Sequence, residues 1–135
     1  MAMSSFSGSG LIGDPAILTA DFSNSATGTY SSGGVNYKYL ILNSAATLTV
    51  TRAGTCDMLI IGGGGSGGAS SSGAGGGGAG GHLELTSAYL PAGALTCVVG
   101  AGALAISHGG GNNTSSGQNG VTSSVNGQYF SSGGG

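Results

Sequence analysis

GGGGSGGASSSGAGGGGAGG occupies residues 62–81, and these twenty positions hold only Gly, Ala and Ser. The tract directly follows an apolar run at residues 57–61 (DMLII) and leads directly into another at residues 82–86 (HLELT). A Gly/Ser linker normally separates two domains, whereas a chain of 135 residues has the length of one. We therefore predict that the tract is part of the fold.

Thirteen of the twenty residues are Gly, which loses more freedom on folding than any other residue and buries no side chain. Order in the tract therefore requires backbone hydrogen bonds and close backbone packing. Polyproline II segments, with three residues per turn, can pack side by side where Gly lets their backbones approach. A collagen triple helix is excluded, because Gly62, Gly65 and Gly68 are followed by Ser71 and the triplet register fails. An irregular surface loop remains the alternative.

Two-residue alternation predicts strands on both sides of the tract. The predicted strands are residues 35–42, 46–51, 55–61, 82–86 and 95–99. Short turns join the first three, which predicts a meander in which Arg52 and Asp57 pair across a turn at residues 53–54. No ten-residue segment repeats every 3.6 residues. The expected fold class is all-β: a small antiparallel β-sandwich or meander with an ordered glycine-rich layer, either polyproline II-like or a loop.

The chain divides into two predicted regions. Residues 1–25 are rich in Ser and Gly and poor in apolar side chains, which predicts an irregular N-terminal arm for docking or oligomer contacts. Residues 26–135 form the predicted glycine-rich β domain.

Charge is nearly absent from this chain. The six formally charged side chains are Asp14, Asp21, Lys38, Arg52, Asp57 and Glu84. A weakly charged surface favours association, so we expect a homo-oligomer or a component of a larger assembly. Nucleic acid is not an expected partner, because no Lys or Arg cluster is present. Membrane insertion is not expected either, because the apolar runs are far shorter than the ~20 residues that span a bilayer.

The two cysteines, Cys56 and Cys97, each fall within an apolar strand pattern. The N-terminus has neither a basic region nor an apolar region of the kind that directs secretion. We expect both thiols to be reduced and buried, with a disulfide as the alternative.

Several short motifs resemble catalytic or binding signatures. Residues 62–67 (GGGGSG) match a dinucleotide-binding pattern with Glu84 about 20 residues on, but no apolar stripe follows to form the helix that would bind the pyrophosphate. Ser66 also lies in a G-x-S-x-G sequence, with Glu84 and His108 in the order that a hydrolase triad needs. A sheet covered by helices is required for that chemistry, and this composition does not supply it. Ser66 is therefore expected to be an ordinary tract residue.

A metal site would have to combine Cys56, His82, Cys97 and His108, and no two of these have the short spacing of structural zinc sites. We predict no catalytic, cofactor-binding or metal-binding residues and no enzymatic activity. Tyrosines are the remaining candidates for contact, since they stack on sugars or anchor interfaces. For Tyr37 and Tyr39 we expect a place in the core or in an interface.

Six stretches of the chain, taken in their order, carry a resemblance to a known family: YKY at residues 37–39, ATLTV at 46–50, DMLIIGGGG at 57–65, GGGGAGG at 75–81, LTCVVGAG at 95–102 and NGVTSS at 119–124. This order of elements resembles the glycine-rich domain of tail-fibre and other virion-surface proteins of tailed bacteriophages. The resemblance covers about residues 35–135.

The resemblance implies a β-rich, non-enzymatic and often multimeric virion component. Fibre-type members are usually longer, with a separate tail-attachment region and a further glycine-rich stretch. The expected function is therefore a structural protein on the virion surface, assembled in the host cytoplasm as a capsid decoration, head-fibre or fibre-type component. The alternative is a receptor-binding tail-fibre protein. Expected partners are further copies of the chain, with a trimer as one candidate, a major capsid or tail protein, and host surface glycan.

Overall fold

A computed structural model describes residues 2–6, 18–107 and 115–135. Its elements are strands, and the described part of the chain contains no helix, which confirms the all-β fold class. The strands are β1 (Ala2–Phe6), β2 (Asp21–Phe22), β3 (Gly28–Ser32), β4 (Val35–Ile41), β5 (Ala46–Arg52), β6 (Gly54–Ile61), β7 (His82–Leu90), β8 (Gly93–Val98), β9 (Ser123–Val125) and β10 (Tyr129–Ser131). Within the described ranges, no helix is long and apolar enough to cross a membrane.

The strands form two five-stranded sheets, with the orders β3-β4-β1-β6-β7 and β10-β9-β8-β5-β2. The predicted meander of residues 35–61 is therefore wrong, because β5 lies in a different sheet from β4 and β6. The start of β6 is bonded to an earlier part of the chain: Thr55 donates to the Leu18 carbonyl at 2.8 Å, and Ala20 donates to the Thr55 carbonyl at 2.9 Å. Those bonds prevent β5 and β6 from closing as a hairpin.

The predicted Arg52–Asp57 pair is wrong for the same reason. Arg52 Nε donates instead to the Thr19 carbonyl at 3.0 Å. The Asp57 carboxylate accepts the Ser87 amide at 2.9 Å. Ser87 has a φ of 57°, an unusual value for a residue other than Gly, and the carboxylate holds its amide at this irregularity of β7.

The predicted irregular arm contains regular strands. β1 pairs antiparallel with both β4 and β6, and β2 pairs with β5. Ala2 lies opposite Ile41 on one side and Leu59 on the other. The remaining part, residues 7–17, lies outside the described residues. Its role in docking stays a prediction.

The chain forms two compact units. The first comprises Met1–Leu59 and Glu84–Thr96, and the second comprises Ile60–Leu83 and Cys97–Gly135. Side chains that alternate along a strand place apolar residues in the core. In β5, Leu48 and Val50 are buried, while Thr47, Thr49 and Thr51 are exposed. The first core contains Ala20, Phe22, Leu40, Leu48, Val50, Cys56, Met58, Ala88, Leu90 and Leu95, and the second contains Ile60, Cys97, Ser123, Val125 and Ser131.

In the first unit, Lys38 of β4 reaches across to β2. Its ammonium forms an ion pair with Asp21, donates to the Phe22 carbonyl at 2.6 Å and lies 4.3 Å from the centroid of the Phe22 ring. The hydrogen bond from Lys38 is the main cause that lowers the pKa of Asp21 below its usual 3.8, while burial opposes it and the Phe22 amide adds to it.

Replacing Lys38 by Met is expected to raise the pKa of Asp21. Since the folded pKa lies below the unfolded one, the pair stabilises the fold above about pH 4, and this contribution is lost as the pH falls through the folded pKa. Lys38→Met should therefore weaken the pH dependence of the unfolding free energy below about pH 4, by at most ~1 kcal/mol because both side chains are partly exposed. NMR titration of the Asp21 carboxyl checks this.

The matched control for that titration is Arg52→Met, since Arg52 is the smallest of the causes that act on Asp21. The pKa of Asp21 should stay close to that of the parent protein in this variant. An unchanged pKa in Lys38→Met would contradict the assignment.

Candidate functional site in the glycine bundle

The glycine tract is ordered by backbone hydrogen bonds that recur every three residues. Residues 62–69 run antiparallel to residues 75–81, and each third amide of the first segment donates to the second. The bonds are Gly62 to Gly81 at 2.9 Å, Gly65 to Gly78 at 2.8 Å and Gly68 to Gly75 at 3.1 Å. Every third residue of segment 62–69, beginning with Gly62, therefore faces the same neighbouring segment, residues 75–81.

A second face of segment 62–69 binds residues 115–121 by the same rule. The bonds are Gly63 to Val121, Ser66 to Gln118 and Ala69 to Ser115, each at 2.9 Å. On the remaining side, the Gly64 carbonyl accepts the Ala103 amide and the Gly63 carbonyl accepts the Gly134 amide, both at 2.8 Å. Segment 62–69 is thus surrounded by four other segments.

A three-residue repeat with a different neighbour on each face is the geometry of a polyproline II helix. We call the five segments, residues 62–69, 75–81, 100–103, 115–121 and 132–135, the glycine bundle. The polyproline II interpretation of the tract is thereby confirmed, and the irregular surface loop is excluded for residues 62–69 and 75–81. Each backbone bond contributes about 0.5–1.5 kcal/mol and so offsets part of the entropy that Gly loses.

The spacing between segments explains why the tract is made of Gly. A Cβ atom on Gly62 would lie 2.0 Å from the Ser132 carbonyl oxygen, and one on Gly80 would lie 2.0 Å from that of Gly62. By contrast, a Cβ on Gly75 or Gly76 would meet nothing within 4 Å. Gly is thus required inside the bundle and replaceable at its margin.

One part of the bundle is open. A groove of about 440 Å³ lies between residues 66–70, residues 73–76 and residues 115–117. Gly135 also lines it. Its walls are hydroxyls, methyl groups and backbone, with no formal side-chain charge.

Ser66 has a structural role. Its Oγ accepts the Gln118 amide at 2.9 Å, and its own amide donates to the Gln118 carbonyl. The hydroxyl therefore ties segment 62–69 to segment 115–121. Residues 62–67 lead into another polyproline II segment rather than a helix, so they lack the element that binds a pyrophosphate. His108 lies outside the described residues.

Cys56 and Cys97 are both buried, and neither forms a disulfide. Burial raises the pKa of the Cys56 thiol to about 12, and the neighbouring Asp57 carboxylate adds to this effect. The thiol is therefore protonated at neutral pH and a poor nucleophile. Over the described ranges, no three His, Cys, Asp or Glu side chains come together to hold a metal ion.

The first unit carries an exposed aromatic surface. Tyr30 of β3 lies opposite Tyr37 of β4, and their rings stack with centroids 4.8 Å apart. Tyr39 covers Gly28, where a Cβ would lie 2.6 Å from the tyrosine hydroxyl. We call Tyr30, Tyr37, Tyr39 and Ile41 the tyrosine face; Tyr30 and Ile41 are each 44% exposed. Tyr37 and Tyr39 are half-buried and are not among the buried core residues, so their predicted place in the core is wrong and a place in an interface stays a prediction.

Sequence reasoning missed the late segments of the bundle. The sequence pattern predicts no element at residues 115–121 and 132–135, yet they supply partners for segment 62–69. One signal was available: Asn126 and Gly127, with φ values of 52° and 65°, lie in the three-residue turn that joins β9 to β10. Asn-Gly between two apolar stretches is a strong hairpin signal.

Two antiparallel sheets joined to a bundle of polyproline II segments define a β-protein with an ordered glycine-rich layer. The chain belongs to the glycine-rich domain family, whose family model matches residues 41–135. No curated protein and no solved structure matches this chain.

Proposed function

We propose that this protein is a non-enzymatic structural component of the surface of a tailed-phage virion, present in several copies as a capsid decoration, head-fibre or fibre-type protein. The observation that carries the proposal is the chemistry of the second unit. Its residues include no Asp, Glu, Lys or Arg. Such a unit offers contact through backbone, hydroxyl and methyl groups, and few groups for acid–base work.

The tyrosine face supports assembly into multiple copies. Exposed large side chains that lie together on one sheet are typical of protein contacts, and Tyr is enriched there. The Tyr30 ring contacts those of both Tyr37 and Tyr39, on a chain that has little charge to keep copies apart. We propose that this face contacts another copy of the chain or a major capsid or tail protein.

Cryo-electron microscopy of the whole virion tests the proposal. Density for the two sheets and the bundle on the capsid lattice is expected for a decoration protein. Density confined to the tail would favour the alternative, a receptor-binding protein that contacts host surface glycan. The exposed tyrosine rings favour that alternative as well, because aromatic rings stack on sugars. Absence of the protein from purified virions would contradict both the structural role and the receptor-binding alternative.

A variant test addresses the contact surface. Tyr30→Ser combined with Tyr39→Ser should shift the protein toward the monomer in sedimentation velocity and reduce its binding to purified virions. Leu104→Ser removes another apolar side chain, which is 80% exposed, and should change neither the sedimentation of the protein nor its binding to virions. A parent protein that sediments as a monomer at every concentration and does not bind virions would contradict the multimeric structural role.

A further inference from the structure

Strand β3 forms one edge of the first sheet and is less protected than the other sheet edges. It is five residues long, contains no charged residue and no Pro, and is exposed at residues 29–32. At the opposite edge, β7 carries Glu84 and the irregular backbone at Ser87; the edges of the second sheet, β2 and β10, have only two and three residues. Charge, irregularity and short length keep an edge strand from pairing with another chain. Among the described strands, β3 is therefore the edge that can accept a further strand.

The turn between β3 and β4 sets which backbone groups point beyond this edge. Residues 33–34 are glycines with φ values of 58° and 80°, and they form a two-residue hairpin turn that is closed by Ser32 and Val35. The pair that closes such a turn is hydrogen-bonded, and hydrogen-bonded pairs alternate along an antiparallel ladder. Every second residue of β3, counted back from Ser32, therefore bonds to β4. The N–H and C=O groups of Thr29 and Ser31 point away from β4.

The Tyr30 ring presents a flat surface beyond the same edge. It is stacked on the Tyr37 ring of β4, with ring planes 9° apart and centroids 4.8 Å apart. This separation matches the spacing of neighbouring strands, about 4.7–4.9 Å, so the rings are stacked along the direction in which strands follow one another in a sheet. One face of the Tyr30 ring contacts Tyr37, the other points away from β4, and the residue is 44% exposed. A ring at the next strand position would continue the stack.

We propose that β3 pairs antiparallel with β3 of a second copy of this chain, about a two-fold axis beside Tyr30. Thr29 of each copy then lies opposite Ser31 of the other, and their outward N–H and C=O groups bond to one another. The two Tyr30 residues form the non-hydrogen-bonded pair between them, with Cα atoms about 4.5 Å apart and side chains on the same face. Their rings join the two Tyr30–Tyr37 stacks into one.

A second copy is the occupant because the edge is complementary to itself. A two-fold interface brings the same surface of both chains together, and Thr29 and Ser31 lie symmetrically about Tyr30. Like charges do not meet, since β3 has none and the charged residue of β4, Lys38, is paired with Asp21. This choice rests on the multimeric role proposed above and names the contact that builds it. One strand and its rings form a smaller contact than a standard interface of about 800 Å² per partner, so the dimer should be reversible.

Sedimentation velocity over a concentration series tests the pairing. The parent protein should dimerise reversibly. Tyr30→Lys places two like charges opposite each other and should raise the dimer dissociation constant by at least about tenfold. Tyr89→Lys makes the same change at an exposed Tyr of β7 and should alter the constant by less than about twofold. A parent protein that remains monomeric, or equal dissociation constants for the two variants, would overturn the proposed pairing.

Cysteine variants test the register. Tyr30→Cys should form a disulfide-linked dimer on mild oxidation, because the two copies of this residue face each other at a Cα distance that a disulfide can span. Thr29→Cys should not, since the two copies of residue 29 are offset along the strands and their Cα atoms lie beyond the ~7 Å limit. The native Cys56 and Cys97 are buried. Equal cross-linking of the two variants on a non-reducing gel, or none in either, would contradict the two-fold axis beside Tyr30.

Failure of this inference is distinct from failure of the proposed function. If the parent protein associates but Tyr30→Lys associates equally well, another surface joins the copies; the pairing is then wrong and the structural role stands. If Tyr30→Lys loses binding to virions without any change in self-association, the edge contacts a virion protein and the pairing is again wrong. If the protein is absent from virions while the dimer and its cross-link form as expected, the pairing stands and the virion role is wrong.

Discussion

Gly63→Ala is expected to unfold the second unit. A Cβ at this position would lie 2.0 Å from the Ala101 carbonyl oxygen and 2.5 Å from its carbon. Both atoms are backbone, so no rotamer change can relieve the overlap. Separating segment 62–69 from residues 100–103 would break the bond from the Ala103 amide to the Gly64 carbonyl. We expect a loss of at least about 3 kcal/mol, a large part of the stability of a typical domain.

Gly76→Ala is the matched control for this substitution. It lies in the same tract, is exposed, and would place its Cβ in open space. Its φ is not among the positive values, so Ala can adopt the backbone conformation. The effect should lie between no change and a gain of about 1 kcal/mol. Urea unfolding followed by circular dichroism measures both variants, and equal stability of the two would contradict the packed bundle.

Leu48→Ala is expected to cost about 2–5 kcal/mol. Leu48 is 1% exposed in the core of the first unit, on β5, between the exposed residues Thr47 and Thr49. Truncation removes buried apolar surface and leaves a cavity that a strand held in a sheet cannot readily fill. The midpoint of urea unfolding should fall with little change in its slope.

Leu104→Ala tests whether burial causes that loss. The same side chain is removed, but Leu104 is 80% exposed. The free energy of unfolding of this variant should stay within about 0.5 kcal/mol of that of the parent protein. If the two variants were equally destabilised, Leu48 could not be the core residue that its burial indicates.

Strand positions were predictable because alternation is a local property. The threonines of β5 face solvent and its Leu48 and Val50 face the core, as the period-two pattern indicates. The strand predicted at residues 55–61 corresponds to β6, which lies between β1 and β7. β3 was missed, because GTYSS at residues 28–32 has little apolar alternation and is positioned by pairing with β4.

Strand partners were not predictable from the same pattern. The short connection at residues 53–54 suggested a hairpin, but residues 18–20 bind Thr55 and send β5 into the other sheet. Nothing in the serine-rich first 25 residues indicated that β1 would pair between β4 and β6. The alternation of side chains along a strand indicates which of its faces is buried. The partner of that strand depends instead on which other segment of backbone lies beside it, and the side-chain pattern does not indicate this.

The amino-acid sequence was enough to predict an all-β chain with little charge and a glycine tract too closely joined to strands to be a linker. The three-dimensional arrangement was needed to show that segment 62–69 is surrounded by residues 100–103, 115–121 and 132–135, and which glycines are indispensable. This is because the bundle is held by backbone groups, which every residue carries. Apolar side chains leave a periodic signal in a sequence, but contacts between bare backbones leave only a requirement for Gly.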